Sequence, residues 1–219
     1  MAEEGGFPFV NLIQMKNELG LEEATDFVDN NHTNYFGAQK VTAYMGQLLK
    51  ENYTLPDRRG EAGYERWNED VLARRHEVMN YALWKTTDLK TYLDLVGTLE
   101  DYVVVVATSG DYLAGELDFG ENLQWVGIGE NFFEKPGIWI LDNKQPVYVS
   151  QEADCIYYTE LGRDDLAVGS IEGKKTIVIN RTNYFKYDSS VNVVVYDKTL
   201  GQVVDAVAFY APNHYGAIR

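Results

Sequence analysis

Six consecutive residues, Tyr102-Val103-Val104-Val105-Val106-Ala107, restrict the folds open to this chain more than any other stretch. Branching at Cβ stiffens the valine side chain and suits it to a pleated, extended backbone. A strand sends successive side chains to opposite faces, so an unbroken apolar run has no face fit for water. Whatever the fold, a layer of structure must lie on each side of this strand.

The flanking sequence says what those layers are made of. Upstream the texture is helical. Val41, Tyr44, Met45, Leu48 and Leu49 recur at helical spacing before Pro56, and Asp57-Arg58-Arg59-Gly60 reads as a turn. Residues 61–85 read as a longer helix, with Tyr64, Trp67, Val71, Leu72, Val78, Met79, Ala82 and Leu83 as one stripe. Thr87 or Asp88 would cap a further helix carrying Leu89, Tyr92, Leu93 and Val96, closed by Gly97. Near the start, Phe7-Pro8-Phe9-Val10-Asn11-Leu12 reads as an edge strand, followed by a short helix over 13–19 that ends at Gly20. Downstream the period changes to two. Strands over 138–141 and 146–149 flank a hairpin turn at Asp142-Asn143-Lys144-Gln145. Residues 176–179 form another strand, and 191–197 pairs with 202–209 across Lys198-Thr199-Leu200-Gly201. The expected fold class is α/β (α+β): a helical N-terminal part joined to a mixed β-sheet domain with flanking helices. The six strands from 102 onward should form one sheet, with the helix over 89–96 on one face. The domain boundaries expected are 1–60, a helical connector over 61–97, and 98–219.

Composition removes several function classes. A net charge of −15 leaves no basic surplus to displace phosphate counterions, which argues against nucleic acid and against anionic membrane surfaces. No apolar run is long enough to span a bilayer, and the acidic Met1-Ala2-Glu3-Glu4 does not resemble a signal peptide, so the sequence reads as soluble with no export address. The compartment stays open. The single cysteine, Cys155, beside Asp154 and Ile156, rules out an internal disulfide and reads as an inert thiol. No metal or cofactor site is expected. His76 in Arg74-Arg75-His76-Glu77 reads as a solvated helix face and His214 as an exposed loop. The acidic groups Asp164-Asp165 and Glu116/Asp118/Glu121 lack a calcium-loop pattern, and Gly127-Ile128-Gly129 is too short for a dinucleotide fingerprint. Ser109 in Thr108-Ser109-Gly110-Asp111 reads as a strand-end turn, without the flanking glycines of a nucleophile elbow.

The chemistry concentrates in Asp29-Asn30-Asn31-His32, followed by Thr33-Asn34-Tyr35-Phe36-Gly37-Ala38. A carboxylate three residues ahead of an imidazole can bind one ring nitrogen and fix the tautomer, leaving the other nitrogen to take a proton from a nucleophile. A turn stabilised by Asp29 is the plainer reading of the same residues. With Thr25-Asp26-Phe27-Val28 before it and Tyr53-Thr54-Leu55-Pro56-Asp57-Arg58-Arg59-Gly60 after it, this stretch resembles the closing segment of an SGNH (GDSL-type) hydrolase domain of bacterial surface-polysaccharide proteins. The resemblance implies catalytic roles for Asp29 and His32. It covers about the first quarter of the chain and only the tail of that domain. The family's Gly-Asp-Ser nucleophile block and oxyanion-hole residues should precede the histidine, yet residues 1–31 contain no serine. The pair therefore reads as vestigial or incomplete.

A second likeness lies near the end. Val191-Asn192-Val193-Val194-Val195-Tyr196-Asp197, then Thr199, Gly201, Val203-Val204-Asp205 and Phe209, resembles the signature strand pair of the interleukin-like EMT inducer (ILEI) domain. Two features depart from that family: the helix and Val-rich strand precede the hairpin instead of following it, and its Phe-Asp becomes Phe209-Tyr210. The resemblance implies a place among glycan-handling proteins. Tyrosines crowd the last third, and Tyr184, Tyr187, Tyr196 and Asn192 are the expected ligand-binding residues, since rings stack on sugar CH groups while amides meet hydroxyls. Packing within a sheet is the plainer role for them. The leading expectation is a noncatalytic accessory or glycan-binding module of a bacterial cell-surface polysaccharide protein. The alternative is a fragment of an SGNH-type esterase or O-acetyltransferase, active only with its N-terminal part; a structural domain without ligand is the third. Apolar positions in residues 1–60 also suggest a homodimer through that segment.

Overall fold

The computed structural model describes residues 10–113 and 128–219. The chain divides into two compact units, Met1–Asn68 and Glu69–Arg219.

In the first unit, residues 12–20 run through turns, and α1 (Glu23–Asp26) makes one helical turn. An isolated bridge between Phe27 and Thr33 then closes a five-residue loop, and α2 (Tyr35–Asn52) follows. Asn34 caps α2, its Oδ1 accepting from the Phe36 and Gly37 amides at 2.9 and 3.2 Å. The entry is tight. A Cβ on Gly37 would stand 2.2 Å from the Asp26 carbonyl oxygen, so only glycine lets α2 begin against that backbone. The Asp26 carboxylate, 1% exposed, accepts from the Glu22 amide and from Lys40 Nζ, both at 2.7 Å. Lys40 also donates to the Gly20 carbonyl at 2.6 Å, so one ion pair, buried on its Asp26 side, ties the turns, α1 and α2 together. Helix α3 (Glu65–Lys85) begins in this unit and runs on into the second.

The second unit is built in three layers. A six-stranded sheet has the order β10-β9-β8-β1-β2-β3, and a four-stranded sheet the order β4-β5-β6-β7. The strands are β1 (Tyr102–Ser109), β2 (Ile138–Asp142), β3 (Gln145–Ser150), β4 (Cys155–Leu161), β5 (Asp164–Ile171), β6 (Lys174–Ile179), β7 (Thr182–Asn183), β8 (Ser190–Asp197), β9 (Gln202–Tyr210) and β10 (Gly216–Ile218). β1 lies between β2 and β8 and is buried along its whole length, as its valines require. Val104 and Val106 face α4 (Leu89–Thr98), where Leu89, Tyr92, Leu93 and Val96 form one core with Val191, Val193, Val195 and Phe209. Val103 and Val105 face the second sheet, in a core with Ile140, Val194, Leu166, Val168, Ile177 and Ile179. Asp88 caps α4, accepting from the Thr91 amide at 2.8 Å. The β2–β3 turn places Asn143 and Lys144 at φ of 47° and 67°, the left-handed pair that a two-residue hairpin needs.

Several expectations are corrected. The strand over 174–179 leaves the sheet of β1 and joins the second sheet with β4 and β5, so the six segments do not form one sheet. That departs from the arrangement the ILEI likeness implied. The split follows from β1: with α4 on one face, its other valines need an apolar layer opposite, and Ile177 and Ile179 supply part of it. Residues 13–19 are turns, not a helix, and residues 10–12 are not a strand; Phe7-Pro8-Phe9 lies outside the described residues. The long helix starts at Glu65 rather than 61. Only the second half of its stripe meets the core: Leu83 is buried and Met79 packs against it, while Trp67, Val71 and Leu72 stand exposed, and His76, outside the stripe, is buried as well. Cys155 is a half-buried free thiol.

Candidate functional site

The loop closed by the Phe27–Thr33 bridge presents Asp29 and His32. Asp29 Oδ1 accepts from the Asn31 and His32 amides, both at 2.8 Å, so the carboxylate is fixed by the backbone it folds. The same carboxylate holds the His32 ring, with Nδ1 at 2.9 Å from both Oδ1 and Oδ2. Three hydrogen bonds to one ionised group lower the Asp29 pKa to about 2, the Asn31 amide first and the His32 ring next. An ionised carboxylate can only accept, so Nδ1 carries a proton, and in the neutral imidazole Nε2 holds the lone pair. No described residue bonds Nε2, and the His32 side chain is 77% exposed.

Either side of His32, the loop lines a hollow of about 650 Å³. Asp29, Asn30, Asn31 and Thr33 form its polar rim, and Leu12, Leu21, Phe27, Val28 and Val41 its apolar floor. Lys16, paired with Glu23 at 2.5 Å, stands over the Phe27 ring. The arrangement supplies an oriented imidazole base beside an apolar recess. It holds neither a serine nor a cysteine beside that base, since residues 1–68 contain none.

The four expected ligand residues do not form one surface. Tyr196 is buried, its hydroxyl donating to Asp164 Oδ2 at 2.8 Å and lying 3.0 Å from the Leu161 carbonyl, and burial pushes its pKa up to about 12. Asn192 is also buried: its Oδ1 accepts from the Lys186 amide at 2.8 Å and its Nδ2 donates to the Tyr187 carbonyl at 2.8 Å. It shapes the loop that carries Tyr187 and offers nothing to solvent. Tyr184 packs half-buried against the second core. Only Tyr187 keeps an open ring, 49% exposed and 6.4 Å from the ring of Tyr210.

One cluster was not visible in the sequence. His76, expected on a solvated face, is 7% exposed, and its Nδ1 lies 2.9 Å from Oδ2 of the fully buried Asp197. Asn80 Nδ2 donates to the same oxygen at 3.0 Å, while Oδ1 accepts from the Thr199 and Leu200 amides at 2.9 and 3.0 Å. The Tyr102 ring stacks on His76 at 5.1 Å. Burial first, then the Asp197 charge, raises the Tyr102 pKa. This cluster is closed to substrate and works as a fastening between α3 and the β8–β9 hairpin. Among the described residues no group of histidine, cysteine and carboxylate side chains is placed to hold a metal ion, and no helix is long and apolar enough to cross a membrane. The acidic trio Glu116/Asp118/Glu121 lies outside the described residues.

No protein-family profile, curated protein or solved structure matches this chain.

Proposed function

We propose that residues 10–68 carry the acid–base half of an SGNH-like acyl-transfer site, with Asp29 positioning His32 and His32 acting as general base. The supporting observation is the Asp29 carboxylate on His32 Nδ1 at 2.9 Å, with Nε2 free of any described residue. In this reading a serine from outside residues 1–68 attacks an ester carbonyl and passes its proton to His32 Nε2. The imidazolium then protonates the departing alcohol, and water repeats the sequence to release the acid. The apolar hollow is where the polypeptide bearing that serine and its oxyanion donors would pack. The second unit is the noncatalytic part, and its glycan-binding reading rests on the open Tyr187 ring beside Tyr210.

One experiment tests both parts. The chain alone should hydrolyse p-nitrophenyl acetate no faster than buffer. Joined to an SGNH half-domain carrying a Gly-Asp-Ser block, it should gain turnover that His32→Ala removes by about four to six orders of magnitude. Turnover that survives His32→Ala overturns the acid–base role. On an acetylated polysaccharide, Tyr187→Ala should slow the joined protein while leaving p-nitrophenyl acetate untouched; equal rates on both substrates remove the glycan reading.

A further inference from the structure

The two sheets of the second unit have four edges, and three are blunted. β7 has two residues and β10 three. β3 carries Pro146, which cannot donate to a further ladder, and its register with β2 shifts between Ile140 and Leu141. β4 has none of these protections. Its seven residues pair with β5 in unbroken register from Cys155↔Ser170 to Leu161↔Asp164, and nothing described pairs with its other side. It contains neither proline nor lysine. Regular edges of this kind are the ones that recruit another strand. The side chains say what that strand must carry. Ile156, Tyr158 and Glu160 alternate along the exposed face of β4, with Ile156 at 77% and Tyr158 at 59% exposure, and Asp154 borders the same surface as Ile156. The pattern is a carboxylate, two apolar side chains and a second carboxylate, each two residues from the next. Neither Asp154 nor Glu160 takes part in an ion pair among the described residues.

We infer that the β4 edge takes up an extended segment of another protein, added antiparallel, whose outward side chains run basic, apolar, apolar, basic at alternate positions. Directly opposed residues in an antiparallel ladder share a face. The outward residues of the added strand therefore meet Glu160, Tyr158, Ile156 and Asp154 in turn. The two middle positions cover apolar side chains that water now surrounds, and the two outer ones bring lysine or arginine to carboxylates that lack a counter-charge. The unpaired main-chain groups of β4 give the affinity, and the alternate side chains give the selectivity. Long-range charge favours the same occupant. A chain of net charge −15 draws a basic segment toward it and repels an acidic one, a second copy of itself included.

The probe is a blocked synthetic peptide, Lys-Thr-Val-Thr-Ile-Thr-Lys, titrated into the nitrogen-15-labelled full chain. Saturable amide shifts should centre on β4, and they should weaken as sodium chloride is raised. The same peptide with both lysines replaced by glutamate should bind at least about tenfold more weakly. Glu160→Lys changes one exposed side chain and should leave the circular dichroism spectrum unchanged while weakening the lysine peptide about two- to fivefold. A peptide with glutamate in place of its first lysine should recover that loss, because antiparallel pairing sets the first residue against position 160. Such a recovery separates a registered strand from the general attraction of a basic peptide to an acidic chain. Shifts scattered over the surface, or a Glu160→Lys chain that shows no loss or no recovery, overturn the inference. So does protection of β4 that grows with protein concentration in the peptide-free chain, which would give the edge to a second copy.

Discussion

Asp29 shows how a three-residue spacing becomes a chemical device. Its carboxylate is held by two amides and an imidazole, and the resulting pKa of about 2 lies below the ordinary 3.8 of the same group. A depressed pKa means that the folded loop favours the ionised form. The loop contacts therefore add stability above about pH 4 and lose it as the pH falls through about 2. Carboxyl carbon shifts should place the Asp29 midpoint near 2, and a midpoint near 4 would show that the backbone bonds do not persist in solution. In the neutral imidazole the nitrogen shifts of His32 should report the Nδ1–H tautomer. In Asp29→Ala that preference should shift toward Nε2–H, the form free imidazole favours; an unchanged tautomer would remove Asp29 as the orienting group.

The elements differ in how plainly the sequence announced them. β1, the β2–β3 hairpin and the β8–β9 pair were legible because runs of valine and isoleucine between turn residues admit few readings. β5 was not, because Asp164 and Asp165 open it and Ala167, Gly169 and Ser170 interrupt its apolar pattern. Alternation shows that one face of a strand is covered, but it cannot say which sheet the strand joins, and for this reason the strand expected over 176–179 was misplaced. The catalytic-type pair could be found because Asp29 and His32 are local in sequence. The fastening of α3 could not, since His76 and Asp197 stand 121 residues apart and only the fold makes them neighbours. That fastening makes a quantitative prediction. Asp197→Ala would strand His76, Asn80 and the Thr199 and Leu200 amides at once, and should cost about 3–5 kcal/mol in urea unfolding. Asp197→Asn keeps an acceptor and should cost about 1–2 kcal/mol. Equal, small losses for both would mean that water reaches the cluster and that α3 is held by packing alone.

At the scale of the whole molecule the two units differ most in what they bury. Glu69–Arg219 has two continuous apolar cores on either side of β1. Among the described residues up to Asn68, Leu21 is the sole buried apolar side chain, while Ile13, Val28, Tyr53 and Leu55 stand more than half exposed. Ordering each backbone residue costs about 1–2 kcal/mol, and hydrophobic burial is the main term that offsets it. A unit with one buried leucine, one half-buried ion pair and an 18-residue helix cannot offset that cost as the second unit does. Amides of β1 and β8 should therefore exchange only through global opening, while those of α2 exchange orders of magnitude faster through local opening. Protease should cut within residues 10–68 and leave a resistant core from about residue 69. If the proposed acyl-transfer site is right, joining the serine-bearing half-domain should bury the hollow floored by Phe27, Val28 and Val41, and α2 exchange should slow toward that of β1. Protection of α2 equal to β1 in the chain by itself would mean that residues 10–68 need no completing partner, and the half-site reading would lose its structural basis.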